Sequence, residues 1–447
     1  MKRRFNAIAL TAALGLAAAA APAFGEDLLQ IYREAQQNDP TIAAAKANWQ
    51  ATQEAVPQAR AGLLPNASAS GSASENQYDA TIKTDPQRTI SSHYAQYTAI
   101  VSAAQPLYRQ QNWIAYDEAK QQVSQADNVL TIAQQDLILR VSQAYFDVLL
   151  AQYNIELNDS QKAAVSEQLA QAKRNFEVGV ATITDTNEAQ AKYDSIVAQE
   201  ITTRNDYDNK VTALRAIIGR QPKELKKVGA GFEAALPEPN QIDYWVDRAL
   251  KENQNVQVGE KNFEIAKLEV DKAKAGHYPT LDLVGSLNWA NYGGGAINFG
   301  VANYSTIASI GVQLAVPIYQ GGFVDSKVRQ AIALQEKARQ DLETARRTAL
   351  FLAQTGFTGV TSAAASIKAT QQALVSAEVA LQSNKLGQEV GIRTNLDVLN
   401  VQQNVFSTRR DLAQAYFNYL IGVLRLKSAI GTLSDSDVET INRQLRG

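Results

Sequence analysis

The sequence predicts a mainly α-helical, internally duplicated chain in which membrane-type β-hairpins are joined to very long helices. Three observations carry this: motifs that recur about 212 positions apart, period-two apolar alternation in one segment of each repeat, and apolar steps of three and four after each such segment. A chain of 447 residues exceeds what one hydrophobic core normally serves. Extended repeats are therefore a physical alternative to separate globular domains.

Composition narrows the function classes. With 43 Lys+Arg against 45 Asp+Glu and a net charge of -2, there is no basic footprint for nucleic acid, and none is expected as a partner. Residues 1–25 read as a signal peptide, because Lys2, Arg3 and Arg4 precede an apolar stretch from Ala7 to Ala21 that ends in small residues. Cleavage can follow Ala23 or Gly25. The second is preferred, because the helical start "EDLLQIYREAQ" follows at once and the mature chain then begins at Glu26. The chain has no cysteine, which excludes disulfides, thiolate metal sites and a lipid anchor on an N-terminal Cys. No later stretch approaches about 18 consecutive apolar residues, so any membrane crossing must use strands.

Repeat 1 is assigned to residues 26–219, a linker rich in Pro, Gly and charge to 220–241, repeat 2 to 242–431, and a C-terminal tail to 432–447. "ARAGLLPN" at 59–66 returns as "AKAGHYPT" at 273–280, and "QPLY" at 105–108 as "VPIY" at 316–319. Residues 26–61 favour helix, with Pro40 near a helix start and Pro57 as a kink. A hairpin at about 65–107 pairs "NASASGSAS" with "YAQYTAIVSAAQPLY" across a polar loop containing Asp85 and Pro86.

The second hairpin, about 279–319, is clearer. Leu281, Leu283, Leu287 and Trp289 fall on one face and Asp282, Ser286 and Asn288 on the other, while Ile310, Val312, Leu314, Val316 and Ile318 align. Between them lies the glycine-rich "ANYGGGAINFGVANYS", with Trp289, Tyr292, Tyr304 and Tyr319 toward the strand ends, as in a membrane hairpin. A soluble sandwich would show the same alternation. The export segment and the absence of an apolar helix favour the membrane.

After each hairpin the apolar rhythm becomes helical. Val324, Val328, Ala331, Ala338, Leu342, Ala345, Ala349 and Leu352 keep steps of three and four, interrupted at Gln335. In repeat 1, Ala119 through Leu137 keep the same rhythm, and Val141, Ala144, Val148, Ala151 and Ile155 resume it after one extra step of four, which relaxes supercoiling. A helix of roughly 70 residues reaches about 100 Å and needs partners along its length.

Each long helix meets a breaker. "VGVATITD" and "VGIRTNLD" place Gly179 and Gly391 just past a helix end, and Thr182-x-x-Asp185 and Thr394-x-x-Asp397 have the form of capping boxes with Asp in place of Glu. The chain doubles back at 179–184 and 391–396, giving two helical hairpins whose tips share one end. Local structure explains Gly, Thr and Asp. It does not explain why Arg393 stands where repeat 1 has Ala181. An exposed arginine is ordinarily solvated; the functional alternative is that its guanidinium binds carboxylate or hydroxyl groups on the neighbouring tip.

Enzyme chemistry finds no foothold. His93 and His277 lie in different repeats without a recognisable Ser, Asp or metal pattern, and "GGG" at 293–295 is followed by neither a lysine nor a helix start. No cofactor and no metal site are assigned. A structural coiled-coil tether of the periplasm or cell surface is the alternative, but it has no use for duplicated amphipathic strands.

The ordered motifs "YREAQQNDP", "ARAGLLP", "AYFDVLLA", "VGVATITD", "AGHYPTLDL", "LAVPIYQGG" and "NYLIGVLRLKSAIGTL" make the whole mature chain resemble the TolC family of outer-membrane efflux channels. The resemblance implies a homotrimeric twelve-stranded outer-membrane β-barrel, four strands per chain, continued by a long periplasmic α-helical barrel. Four strands cannot close a membrane barrel alone, whereas twelve leave no edge. It further implies an outer-membrane location in a Gram-negative bacterium, contact with outer-membrane lipid, and passive passage of substrates delivered by an inner-membrane pump and a periplasmic adaptor. By position, Arg393 resembles the gate arginine with Thr184 and Asp185 as partners, and Asp397 resembles an acidic constriction ring that favours cations. Two departures stand out: Gln388 occupies the place of a gate tyrosine, and Asn400 that of a second acidic ring.

Overall fold

A computed structural model describes residues 25–83, 86, 88–227, 234–293 and 304–445. Positions 1–24 of the expected signal peptide, Asp85, the linker stretch 228–233 and the glycine-rich stretch 294–303 lie outside the described residues. Short helices open the chain: α1 (Leu28–Asn38), α2 (Pro40–Gln53) and α3 (Ala55–Ala61). Asp39 caps α2, accepting from the Ile42 amide at 2.9 Å with Pro40 at the first helical position. The kink expected at Pro57 is a break at Glu54, one turn before the ring, which leaves the proline in the first turn of α3, where its missing N–H costs nothing.

The strands β1 (Asn66–Ile82), β2 (Arg88–Tyr108), β3 (Thr280–Tyr292) and β4 (Tyr304–Ala315) form one antiparallel sheet in the order β1-β2-β3-β4. β2 and β3 join the two hairpins, with Val101 opposite both Ala69 and Leu287. β4 stops at Ala315, short of the alternation that runs on through Val316 and Ile318, because Pro317 has no N–H for the ladder. The outer edges of β1 and β4 have no partner among the described residues.

Register separates the sheet into two chemical faces. Tyr97, Val101, Leu283, Leu287, Ile310 and Val312 share one face by pairing, and that face is exposed, with Ile310 at 82% and Val312 at 62%. Hydroxyls dominate the other, where Ser68 bonds Ser102 at 2.9 Å, Ser72 bonds Thr98 at 2.6 Å and Ser286 bonds Ser309 at 2.9 Å. This face is hollow: a cavity of about 320 Å³ lies against it, where Asn66, Ser102, Ser286 and Ser309 stand beside Ala104 and Val284. From Leu281 to Trp289 on β3 and from Tyr304 to Leu314 on β4, the apolar band has the length of a tilted membrane crossing, about 9–11 residues.

The long helices follow each hairpin. α4 (Gln110–Glu177) has 68 residues and is followed by α5 (Ile183–Ile218); after α6 (Ile242–Glu252) and α7 (Gln254–Lys274), α8 (Phe323–Glu389) has 67 and is followed by α9 (Asn395–Ala429) and α10 (Asp435–Gln444). At 1.5 Å per residue, α4 and α8 each extend about 100 Å. Along α8 the buried line keeps Val324, Ala331, Leu342 and Ala349 but passes to Ala353 and Phe357, leaving Leu352 44% exposed. The expected step of three after Ala349 is a step of four, the kind of extra step that relaxes supercoiling. No helix among the described residues is long and apolar enough to cross a membrane.

The chain divides into two compact units. One comprises Met1–Ala35, Val141–Glu233 and Ser436–Gly447. Its core includes Leu28, Ile31, Tyr145, Phe146, Leu214 and Ile218, all at or below 1% exposure. Tyr145 donates from its hydroxyl to the carbonyls of Glu26 and Lys226, and Arg220 binds Glu26 and Glu34 at 2.7 Å each. The other unit, Gln36–Arg140 and Ala234–Asp435, holds the sheet, α7, α8 and α9. There Arg346 binds Glu260 at 2.9 Å between α8 and α7, and Arg409 binds Glu378 at 2.7 Å between α9 and α8.

Candidate gate at the helix tips

In the first unit, α4 ends in a left-handed glycine. Gly179 has φ +78°, where a side chain is sterically penalised, and the amides of Val180 and Ala181 return to the Asn175 carbonyl at 2.9 and 3.2 Å. Thr182 then starts α5. Its hydroxyl accepts from the Asp185 amide at 3.2 Å, and the Asp185 carboxylate accepts from the Thr182 amide and hydroxyl at 2.9 and 2.8 Å. A reciprocal capping box thus satisfies helix-start donors that would otherwise have no partner. Thr184, one residue into α5, is exposed; Asp185 is half-buried.

The tip in the second unit repeats this chemistry. Gly391 has φ +81°, and the amides of Ile392 and Arg393 return to the Gly387 carbonyl at 2.9 and 3.2 Å. Thr394 caps α9, with Asp397 accepting from its amide and hydroxyl at 3.0 and 2.9 Å. These Thr394 bonds, backbone first, hold the Asp397 carboxyl below its ordinary value, with the Arg393 charge adding to the effect and desolvation opposing it. Gln388 donates to the Asn395 side chain at 3.3 Å. Arg393 is exposed, and so is Asn400, one helical turn beyond Asp397.

The structure therefore gathers Gln388, Gly391, Arg393, Thr394 and Asp397 at one tip, and Gly179, Thr182, Thr184 and Asp185 at the tip of the other unit. Sequence reasoning missed Gly387. A Cβ built on this buried glycine would lie 2.7 Å from Arg393 Cγ, so its lack of a side chain makes room for the arginine stem. The signal was present: the repeat counterpart of Gly387 is Asn175, just as that of Arg393 is Ala181. The long side chain and the missing one come together.

A second feature that sequence reasoning did not pair lies at the foot of the sheet. Asp282 on β3 is 7% exposed, and Arg109, just before α4, donates from Nε and Nη2 to its two oxygens at 2.8 and 2.6 Å. The two residues are 173 positions apart.

A model of the family described as "Outer membrane efflux protein" matches residues 31–220 and 245–432. The chain is 33% identical over 438 residues to the outer membrane protein TolC of Vibrio cholerae, covering 98% of this chain and 97% of that one. It is 31% identical to the alkaline protease secretion protein AprF of Pseudomonas aeruginosa, over 94% and 87% of the two chains. Among solved structures, CusC superposes with a TM-score of 0.78 at 16% identity, covering 91% of this chain and 92% of CusC. VceC of Vibrio cholerae superposes at 0.75 with 20% identity, covering 90% and 96%. Two matched repeats, an amphipathic four-stranded sheet and paired long helices agree with these likenesses, and the chain belongs to the outer membrane efflux protein family, as an outer-membrane channel of the efflux and secretion type.

Proposed function

We propose that three copies of this chain close a barrel of twelve strands, four from each, and that their helices continue it as a periplasmic tunnel. The single observation that carries this reading is the sheet: one face is apolar and exposed, the other is hollow and carries paired hydroxyls, and both edges lack a partner among the described residues. In lipid an open edge leaves backbone donors and acceptors unsatisfied, so closure by further strands is a physical requirement. The apolar face then meets outer-membrane lipid and the hydroxyl face lines water. Solute passes without chemical change, and the chain acts as a conduit rather than as an enzyme.

At the tips, Arg393 is proposed to hold the closed state against Thr184 and Asp185, with Gln388 beside it and Asp397 and Asn400 facing the axis. The exposure of Arg393 and Thr184, and the room that Gly387 gives the arginine, support this assignment. A few charge-assisted bonds at exposed tips are weak enough for a docking periplasmic adaptor to replace. The adaptor and an inner-membrane pump supply the substrate, in efflux or, as the name of AprF suggests, in protein secretion. The test is direct: the purified mature chain added to a planar bilayer should give discrete conductance steps. A chain that stays monomeric in water without detergent and never conducts would overturn the proposal.

A further inference from the structure

Over the ladder from Gln96 to Pro106 and its partners, Asp282 is the one charged residue on the hollow face among the described residues. Pro106 and Gln313 stand opposite it in the register, and Ser102, Ser286 and Ser309 lie farther along the same face, all of them uncharged. The Asp282 side chain keeps only 9% of its exposure, whereas that of Arg109 keeps 45%. Bidentate geometry cancels the carboxylate where it stands, because the guanidinium fork matches both oxygens at once.

The repeats show that the charges arise together. Aligning "LLPN" with "HYPT" places Ser68 opposite Asp282, and aligning "QPLY" with "VPIY" places Gln320 opposite Arg109. The opposite repeat carries neither charge. Arg109 comes from repeat 1 and Asp282 from repeat 2, so the pair also ties the start of α4 to β3 across the duplication.

We propose that Arg109 and Asp282 form a charge-cancelling site at the helix end of the barrel lumen, and that Arg109 is a selectivity-determining residue because it keeps this part of the conduit indifferent to the sign of the solute. The inference rests on the channel reading above. With three copies around one axis, an unmasked carboxylate ring would favour cations and an unmasked guanidinium ring anions. Such an effect is strong at low salt and fades where the screening length falls to about 3 Å at 1 M.

The experiment measures reversal potentials of the full mature chain in planar bilayers under a potassium chloride gradient, in an Asp397→Asn background so that tip carboxylates do not mask the barrel. Arg109→Gln should shift the cation-to-anion permeability ratio toward cations, and Asp282→Asn toward anions, each by about twofold or more at ~0.1 M salt. The double variant R109Q/D282N should return to the parent value. Conducting single variants with the parent reversal potential would overturn the proposal. Should the single variants fail to assemble, R109Q/D282N decides: assembly with the parent potential supports charge cancellation, and failure to assemble shows a merely structural bond and overturns it. If the parent chain itself forms no pore, the channel reading fails instead.

Discussion

Arg393 and Gly387 are best understood as one unit. The arginine differs from its repeat counterpart by a long charged side chain, and the glycine differs from Asn175 by having none, so the stem finds space where a Cβ would intrude. Replacing Arg393 or Asp185 by Ala is expected to raise single-channel conductance, measured in planar bilayers; unchanged conductance in both would remove them from the gate. Asp185 also caps α5, so Thr182→Ala, which weakens the cap by about 1 kcal/mol but keeps the carboxylate, separates the two roles. Gly387→Val should mimic Arg393→Ala while leaving the charge in place. Asp397 offers a titration test. Its folded carboxyl is held below the ordinary value, so the cap contributes stability above the ordinary carboxylate range and loses it as pH falls through the depressed value. Carboxyl NMR should show Thr394→Ala raising the Asp397 midpoint, and Arg393→Ala raising it by less.

At the scale of elements, the sheet makes the sharpest demand. Period-two alternation is a local property of each strand, but pairing Val101 with Leu287 and Leu283 with Val312 is what makes a continuous apolar face. A charge on that face must enter lipid. Ile310→Arg is expected to cost about 2–4 kcal/mol, and Ser286→Arg on the hydroxyl face far less, when unfolding from lipid vesicles is followed in denaturant. Equal costs would contradict the assignment of faces. The helices obey a looser rule, since α8 shifts its buried line from Leu352 to Ala353 and the small side chains along it tolerate the change.

For the whole molecule, the edges of β1 and β4, which have no partner among the described residues, and the exposed apolar face cannot persist in a single copy within lipid. The mature chain in detergent is expected to migrate unheated at about three times its boiled mass, as a closed cyclic assembly would. A single band at the chain mass under both conditions would remove the assembly that gives the polar face a lumen. Selectivity of such a conduit would be set at its narrowest charged points, which places the tips and the foot of the barrel under separate experimental control.

The helix ends at Gly179 and Gly391 and both capping boxes were legible in the sequence by itself, because each depends on residues within one or two turns of one another. Tertiary structure alone decided the rest. It joined Arg109 to Asp282 and selected Ala353 over Leu352. The physical reason is range. Period and capping are written in short-range sterics and hydrogen bonds, whereas burial of a carboxylate, or the choice between two neighbouring apolar positions on a helix, depends on which distant backbone packs against it.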